Sequence, residues 1–579
     1  MMEARRDIVV GIGGEGGEGV IVTGDMLTLA GARSGQHVFT TRTFPAEIKG
    51  GYCNFQLRMG DEPMHSHGDA LDVLVCFNEE AVINGKKDLR PGGTLVYDTA
   101  PATEAQAQRV PGVRLIGLPM TKIASEELKA PLSKNMVALG ATAYLLSIPF
   151  GSIEKLITDR FKRKGEKVLA ANIAAIKAGH AFVEERCKDR VRTYQPVKAD
   201  DRLLLSGNQA LALGTLAAGV RLCAAYPITP ASDIMEFLAD VLPRFGGAVV
   251  QAEDEMAALG MVLGAMYTGR RAFTSTSGPG LSLMTEMIGL ASMAEVPAVI
   301  FDIQRSGPCT GMPTKTAQAD LLFAVFGGSG DAPRIVLAPT DVEDCYYVTQ
   351  KCFDLAERYS MPVIMLSDLS LGHRRQTVPR LRLPENGQGN GQRHEQPQQW
   401  AHYRRYEITE SGVSPRAVPG EEGGFHTVTG LEHDEFGAPC YEPSMHQAMN
   451  AKRFRKFATL AREGNGVKLA GDAQAEVGIL GWGSTYGAVL EAVARVRGEG
   501  RRVKVLYPTL LNPMPRKEIG EFLRSVKKVV VPELNFTGHF ATLLRAEFGI
   551  DPIRLDLCQG VPFTPGQIYA TIKEVIGRD

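Results

Sequence analysis

Three short segments in the middle of the chain carry residue types that could do chemistry. The first is Tyr226-Pro-Ile-Thr229-Pro230, which follows an apolar strand-like stretch. Two prolines three apart hold the backbone extended, and Pro is favoured at the first helical position, so a helix is expected to start at Pro230. Thr229 would then precede that helix. Its hydroxyl could cap the helix, or it could meet a ligand at the carboxyl end of the strand, where α/β sheets bind their ligands. The second segment is Gln251-Ala-Glu253-Asp254-Glu255, at the entrance of the apolar run MAALGMVLGAM. Acids there suit the helix dipole. One of them, desolvated at the mouth of a buried helix, could also carry a proton. The third is Arg305, after an apolar strand, followed by the glycine- and proline-containing loop that holds Thr314. An arginine so placed suits bidentate capture of a carboxylate, or it pairs with a local acid.

A fourth segment, near the N-terminus, is glycine-rich. Gly11-Ile-Gly13-Gly14-Glu-Gly16-Gly17-Glu-Gly19 lies between a strand and a helix. Glycines there let backbone N–H groups approach a phosphate. A dinucleotide site needs an acid about 20 residues on for the ribose. From Met26 to Ala46 there is no Asp or Glu, which counts against NAD. A tight turn without ligand and another phosphate-bearing ligand remain open. A basic, glycine-containing loop follows at Thr41–Gly51, with Arg42, Lys49, Gly50 and Gly51, and then Arg58 in a strand-like stretch. Asn135-Met-Val-Ala-Leu-Gly140 opens an apolar helix.

The elements that must position these residues alternate between strands and helices, which implies parallel sheets covered on both faces. Residues 1–195 form a first α/β unit, with strands at Ile8–Ile12, Asp72–Phe77 and Gly93–Tyr97 and a helix at Asn172–Glu185. A charged linker leads to a second unit at 201–375, with strands at Ala248–Gln251, Ala272–Thr276, Ala298–Asp302 and Val363–Leu366. In it the MAALGMVLGAM helix, apolar almost all round, should be buried. Residues 376–470 read as a connector, rich in Gly, Gln and Pro at 381–399, and an irregular arm lying on another surface. A third unit at 471–579 has strands at Val477–Leu480, Val503–Tyr507 and Lys528–Val531.

Bulk properties narrow the function. A formal net charge of −1 gives no electrostatic reason for nucleic acid or an anionic membrane as a partner. No apolar run nears the roughly 20 residues of a membrane span, and the N-terminus shows no signal-peptide core. The nine cysteines contain no CxxC, and the closest two, Cys345 and Cys352, are seven apart. They read as reduced cytoplasmic thiols and not as a clustered metal or iron–sulfur site.

In this order the segments resemble the alpha subunit of 2-oxoacid:ferredoxin oxidoreductases. YPITP at 226–230 matches that family's signature in full, and QAEDEMAALG (251–260), TSTSGPGLSLMTE (274–286), GPCTGMPTKT (307–316) and DAPRIVLAPT (331–340) resemble its 2-oxoglutarate, KorA-like branch. So do RYEITESGVSPRAVPG (405–420) and TGLEHDEFG (429–437) of the arm. The N-terminal unit resembles the family's gamma unit, fused here, with Lys49 where Arg is usual. The C-terminal unit resembles the transketolase C-terminal-like domain, except that His539 follows Gly538 where Gln is usual.

The resemblance implies three α/β domains and a thiamine diphosphate site shared with a beta subunit. Glu255 would bond the aminopyrimidine ring. Thr229 and Arg305 would bind the 2-oxo acid, and Thr314 would help select its side chain. Gly13, Gly14, Gly16, Lys49, Gly50, Gly51 and Arg58 mark the region implied for CoA. Mg²⁺ and a [4Fe–4S] cluster are implied on the beta subunit, with ferredoxin as electron acceptor and an alpha2beta2 heterotetramer as the assembly. The implied reaction converts a 2-oxo acid, CoA and oxidised ferredoxin to acyl-CoA, CO₂ and reduced ferredoxin. 2-Oxoglutarate is the expected substrate, with branched-chain or broad 2-oxo acids as the alternative. A non-catalytic CoA- or nucleotide-binding protein on the same fold is the rival from another class.

Overall fold

The computed structural model describes residues 7–45, 50–187, 189–191, 201–384, 402–463 and 466–577. Lys49 and most of the 381–399 connector lie outside the described residues. The chain divides into two compact units, each built around its own sheets.

The first unit comprises Met1–Leu205, Arg374–Arg380 and Thr564–Gly566. Its eight-stranded sheet runs Arg114–Leu118, Leu89–Asp98, Leu71–Cys76, Asp7–Glu15, Tyr52–Gly60, His37–Thr43, Arg375–Pro379 and Arg202–Ser206. The first four strands are parallel. Tyr52–Gly60 then pairs antiparallel with both Asp7–Glu15 and His37–Thr43, so the sheet is mixed and not wholly parallel as expected. The cause is local. Thr41, Arg42 and Thr43 belong to a strand and not to a loop, and the chain reverses before Tyr52. Tyr52–Gly60 alternates buried and half-buried residues, the period-two pattern of a strand with one covered face. Arg202–Ser206 was expected in the central unit and Arg375–Pro379 largely in the connector, yet both join this sheet. Helices Lys134–Leu145 and Glu166–Arg186 pack closely at two glycines. A Cβ on Gly140 would lie 2.0 Å from Ile176 O, and one on Gly179 would lie 1.9 Å from Val137 O.

The second unit comprises Ser206–His373, Leu381–Phe563 and Gln567–Asp579. Its seven-stranded sheet runs Leu510–Asn512, Ile335–Leu337, Pro362–Asp368, Ala298–Gln304, Ala272–Thr276, Leu222–Ala225 and Ala248–Gln251. All its strands are parallel except Leu510–Asn512, which comes from the C-terminal segment. Ala272–Thr276, Ala298–Gln304 and Pro362–Asp368 are buried at every residue, as strands covered on both faces must be. A five-stranded sheet follows, with Val477–Leu480, Val503–Pro508, Lys528–Glu533 and Ile553–Asp556 parallel and Val467–Gly471 antiparallel at its edge. The three mostly parallel sheets give the expected α/β class.

The arm is irregular from 402 to 442 but ends in a 20-residue helix, Pro443–Arg462, which sequence periodicity did not reveal. Its buried positions are Met449, Lys452, Arg453, Lys456 and Leu460. The helical spacing is there, but three of the five inward residues are charged, so no apolar stripe announces it. The arm also packs on its own chain. Lys452 Nζ and Lys456 Nζ each lie 2.7 Å from the buried carboxylate of Glu295. Among the described residues no helix is long and apolar enough to cross a membrane.

Candidate active site

The carboxyl ends of Leu222–Ala225, Ala272–Thr276 and Ala298–Gln304, side by side in the sheet, carry the residues singled out from the sequence. After Leu222–Ala225 the chain turns through Ile228, whose carbonyl accepts from Ala231 N (2.8 Å) and Ser232 N (3.1 Å). The Thr229–Pro230 peptide is cis, and Asn208 Nδ2 donates to Pro230 O at 2.9 Å. The helix begins only at Ser232, flanked by Ala231 and without a side-chain cap. Thr229 therefore does not cap it and Pro230 is not its first residue, because the turn at 228–231 takes up the residues a cap would need. The Thr229 carbonyl instead receives Arg305 Nη1 at 2.8 Å.

Arg305 is 8% exposed, and its Nε is buried with no hydrogen-bond partner. Desolvation lowers its pKa, while the charges of Asp320 and Cys309 act against that. The loop that follows folds back on itself. Ser306 N donates to Lys315 O (2.9 Å) and Met312 N to Ser306 O (2.8 Å). Thr316 Oγ1 donates to Asp368 Oδ1 at 3.0 Å. Thr314 is thus returned towards the base of the loop that Arg305 begins.

The three neighbouring acids separate by environment. Glu253 is exposed. Asp254 caps the helix Glu255–Tyr267 by accepting from Ala257 N at 2.7 Å. Glu255, the first helical residue, is 5% exposed, and its carboxylate has no hydrogen-bond or ion-pair partner among the described residues. It lies under the turn that follows Ala272–Thr276. A Cβ on Gly280 would come within 2.1 Å of Thr276 Oγ1 and 2.5 Å of Glu255 Oε1. The helix itself is not buried all round. Met256 and Met261 are 43% and 41% exposed, and Gly260 and Gly264 have open space where a Cβ would point. One apolar face of the site's helix, expected from the sequence to be buried, is thus uncovered by its own chain.

Two acids that sequence reading missed lie at the same sheet edge. Asp302 is fully buried in Ala298–Gln304, and Asp320 precedes the helix Leu321–Phe326. The available signal was a charged residue inside an apolar strand.

In the first unit Gly13 and Gly14 are strand residues, paired with Asn54 and Cys53, so the turn starts later than expected. Gly16 N donates to Gly51 O at 3.0 Å, and a Cβ on Gly16 would lie 2.8 Å from Gly50 O. The mouth of the following helix is covered by Glu18. Its carboxylate accepts from Glu15 N (2.8 Å), Asn78 Nδ2 (2.8 Å) and Lys134 Nζ (3.2 Å). Arg58 is not brought to this turn. It pairs with Val9, four residues or about 13 Å from Gly13 along the strand. Its guanidinium holds Asp7 Oδ2 (2.5 Å) and Ser66. His539, at the start of its helix, has its imidazole pKa lowered by burial. Glu533 serves that helix by accepting from Phe540 N, Ala541 N and Trp482 Nε1.

Comparisons with known proteins define the class. Residues 213–452 match the family model for pyruvate flavodoxin/ferredoxin oxidoreductase, thiamine diphosphate-binding. Residues 9–182 match that for pyruvate ferredoxin/flavodoxin oxidoreductase, and residues 475–548 that for pyruvate:ferredoxin oxidoreductase core domain II. The alpha subunit of 2-oxoacid:ferredoxin oxidoreductase 2 from Aeropyrum pernix is 33% identical over 98% of each chain. The 2-oxoglutarate oxidoreductase subunit KorA of Mycobacterium tuberculosis is 33% identical over 98% of this chain and 92% of that one. Among solved structures, 2-oxoglutarate:ferredoxin oxidoreductase from Magnetococcus marinus, with 2-oxoglutarate, coenzyme A and succinyl-CoA bound, matches with a TM-score of 0.92. That match has 43% identity and covers 99% of this chain and 100% of that one. The chain belongs to the 2-oxoacid:ferredoxin oxidoreductase family, as one of its alpha subunits with the gamma unit fused.

Proposed function

We propose that this chain forms the aminopyrimidine side of the thiamine diphosphate site in a 2-oxoglutarate:ferredoxin oxidoreductase. In this role it converts 2-oxoglutarate, CoA and oxidised ferredoxin to succinyl-CoA, CO₂ and reduced ferredoxin. The observation that carries the proposal is Glu255, a residue only 5% exposed whose carboxylate has free acceptor capacity, at the carboxyl edge of the sheet that also carries the contact between Thr229 and Arg305.

The residues present fit the cofactor. Glu255 keeps free acceptor capacity at a mostly buried position, and a protonated ring nitrogen would supply the donor. Thiamine diphosphate, when bound, supplies a carbon nucleophile that adds to the 2-oxo carbon and holds the electrons released on decarboxylation. Glu255 would bind the ring nitrogen and share its proton. Arg305, fixed through Nη1 to Thr229 O, would use its remaining N–H groups for the substrate's 1-carboxylate, a bidentate geometry that lysine cannot offer. The Thr229 hydroxyl would bond the substrate beside the reacting carbon. Thr314, on the folded-back loop, would face the substrate's side chain.

We assign Mg²⁺ and the [4Fe–4S] cluster to a beta subunit, in an alpha2beta2 assembly. The open face of Glu255–Tyr267, with Met256, Gly260, Met261 and Gly264, supports a partner chain at this site. We place CoA near Gly16, Gly50 and Gly51, where the two backbones come closest. All nine cysteines are unpaired thiols, which suits a reducing, cytoplasmic setting.

The test is to purify the tagged chain anaerobically from its native cells and assay CoA-dependent viologen reduction across a panel of 2-oxo acids. Activity peaking on 2-oxoglutarate, with an iron–sulfur subunit in the same complex, is expected. A chain that purifies without a partner and reduces viologen with no acid would overturn the proposal.

A further inference from the structure

The buried cluster around Glu295, under the arm, holds more positive charge than its own carboxylate neutralises. Lys452 Nζ and Lys456 Nζ each lie 2.7 Å from that carboxylate. Lys456 Nζ also donates to Ser360 O at 3.1 Å. Arg405 Nη2 donates to the carbonyls of Glu295 (2.7 Å) and Ala294 (3.1 Å). Glu295, Arg405 and Lys452 have no exposed surface, and Lys456 is 2% exposed. Arg453, on the same helix, comes with its own acid, Glu432, 3.0 Å from its Nη2, and so does not change the balance. Three cations therefore share one carboxylate. The arginine cannot lose its proton. Burial pulls Lys452 down only to about 8, so it too is charged at neutral pH.

Unused donors coincide with the surplus charge. Arg405 Nε and Nη1 are buried without a hydrogen-bond partner among the described residues, and so is the Tyr406 hydroxyl. The Tyr406 ring centroid is 4.8 Å from Arg405 Cζ and 5.6 Å from Lys452 Nζ, so both cations border that ring. The His433 ring stacks on it with centroids 3.9 Å apart. His433 Nδ1 lies 2.9 Å from Leu431 O, which can only accept, so the imidazole proton belongs on Nδ1. Burial keeps this imidazole neutral, and it adds no further cation. Buried polar atoms in native proteins are satisfied by protein, ordered water or an ion. Water would satisfy the donors and leave the surplus charge in a dry interior, which is costly. An anion answers both. Three free donor atoms are too few for the oxygens of a tetrahedral oxyanion, whereas a halide needs no more.

We propose that the cluster of Arg405, Lys452, Lys456 and Glu295 is a binding site for one small monovalent anion, a halide such as chloride, held by the free N–H groups of Arg405 and by the surplus charge of the two lysines. Glu295 lies just before the Ala298–Gln304 strand, whose other end leads into Arg305. The anion site is thus at the opposite end of that strand from the proposed substrate site, and the inference does not rest on the reading of Glu255 or Arg305. Its donors and cations come from the arm, Arg405 at the arm's start and Lys452 and Lys456 on the Pro443–Arg462 helix, while its carboxylate comes from the body of the unit. An ion held this way binds only while the arm is docked, so it stabilises the docked arm by mass action.

The test uses the assembled native complex, with bromide and chloride as probes. Crystals grown in bromide should show an anomalous-scattering peak in contact with Arg405 Nε or Nη1. Peaks confined to the protein surface, an adventitious ion only, or no peak at all would overturn the proposal. In solution, hydrogen exchange of the Pro443–Arg462 helix is compared in chloride and in gluconate at equal ionic strength. Once chloride exceeds its Kd, protection should rise about tenfold for each tenfold increase in chloride. Equal protection in the two salts would overturn the proposal. Arg405→Met removes both free N–H donors and should abolish the chloride dependence. Lys452→Met keeps those donors but removes one surplus charge, and should weaken halide binding about tenfold or more. If Arg405→Met does not fold, Lys452→Met and the bromide peak still decide the question. A chloride dependence unchanged in Lys452→Met would place the ion elsewhere and overturn the assignment.

Discussion

Replacing Glu295 by glutamine would strand two buried ammonium groups. Glu295 lies in the turn before the Ala298–Gln304 strand, and its carboxylate is 2.7 Å from both Lys452 Nζ and Lys456 Nζ on the arm helix. Arg405, also fully buried, donates Nη2 to Glu295 O at 2.7 Å and to Ala294 O at 3.1 Å. Burial alone would raise the Glu295 pKa. Lys456, Lys452 and Arg405 overcome that and hold it at about 2. Even with this partner, burial pulls Lys452 down to about 8. Removing one side of a buried ion pair costs about 3–5 kcal/mol, since the other charge remains without compensation. At about 1.4 kcal/mol per decade, Glu295→Gln should speed opening of the Pro443–Arg462 helix by two to three and a half decades, roughly. Hydrogen exchange of that helix, or tryptic cleavage between 402 and 442, measures it directly. Adding Lys452→Met and Lys456→Met should restore most of the protection, because an apolar replacement removes the stranded charges. The pH dependence has a definite sign. A lysine whose folded pKa lies below its unfolded value costs stability at low pH, and that cost is relieved as pH rises from about 8 towards 10.5. Wild-type arm protection should therefore grow across that window. An arm equally protected in Glu295→Gln and the wild type would refute the reasoning, and would mean that apolar contacts alone hold it.

Three further substitutions probe other parts of the account. Gly280→Ala places a methyl 2.1 Å from Thr276 Oγ1 and 2.5 Å from Glu255 Oε1. It should cost about 1–3 kcal/mol of stability by overpacking and lower turnover of the assembled complex by displacing Glu255, both measured on one preparation. Gly140→Ala puts a methyl 2.0 Å from a backbone carbonyl that cannot yield as a side chain would. It should cost at least about 1–3 kcal/mol and lower the first unit's melting temperature, seen by calorimetry, with little effect on KM for the 2-oxo acid. Arg305→Lys keeps the charge but loses the planar fork. KM for the 2-oxo acid should rise about tenfold to a hundredfold, which steady-state kinetics would show.

Much of this fold is legible in the sequence where one principle dominates. Ala248–Gln251, Ala272–Thr276 and Val477–Leu480 are short apolar runs between turns, and they are strands with the expected bounds. Three acids enter the apolar helix, and only the family resemblance and the spacing to Gly264-Ala265 single out Glu255; the structure then separates it from Glu253 and Asp254 by burial and capping. What stayed hidden depended on partners distant in the chain. The arm helix buries Lys452, Arg453 and Lys456, which is tolerable because Glu295, about 160 residues earlier, pairs the two lysines and Glu432 pairs the arginine. The antiparallel strands of the first unit carry period-two patterns, but their placement beside Asp7–Glu15 depends on a reversal that local sequence does not specify. Thr229 looked like a helix cap because the turn at Ile228 is invisible as a pattern. Arg58 looked like a ligand-binding cation because its partner Asp7 lies 51 residues away.

The most direct test of the central claim is turnover of the native complex carrying Glu255→Gln, measured as CoA- and 2-oxoglutarate-dependent viologen reduction beside the wild type. Loss of a carboxylate that shares a proton with the cofactor ring should lower kcat about 10²- to 10⁴-fold while the complex still assembles. A Glu255→Gln complex that assembles and turns over at the wild-type rate would contradict the claim that this chain completes the thiamine diphosphate site.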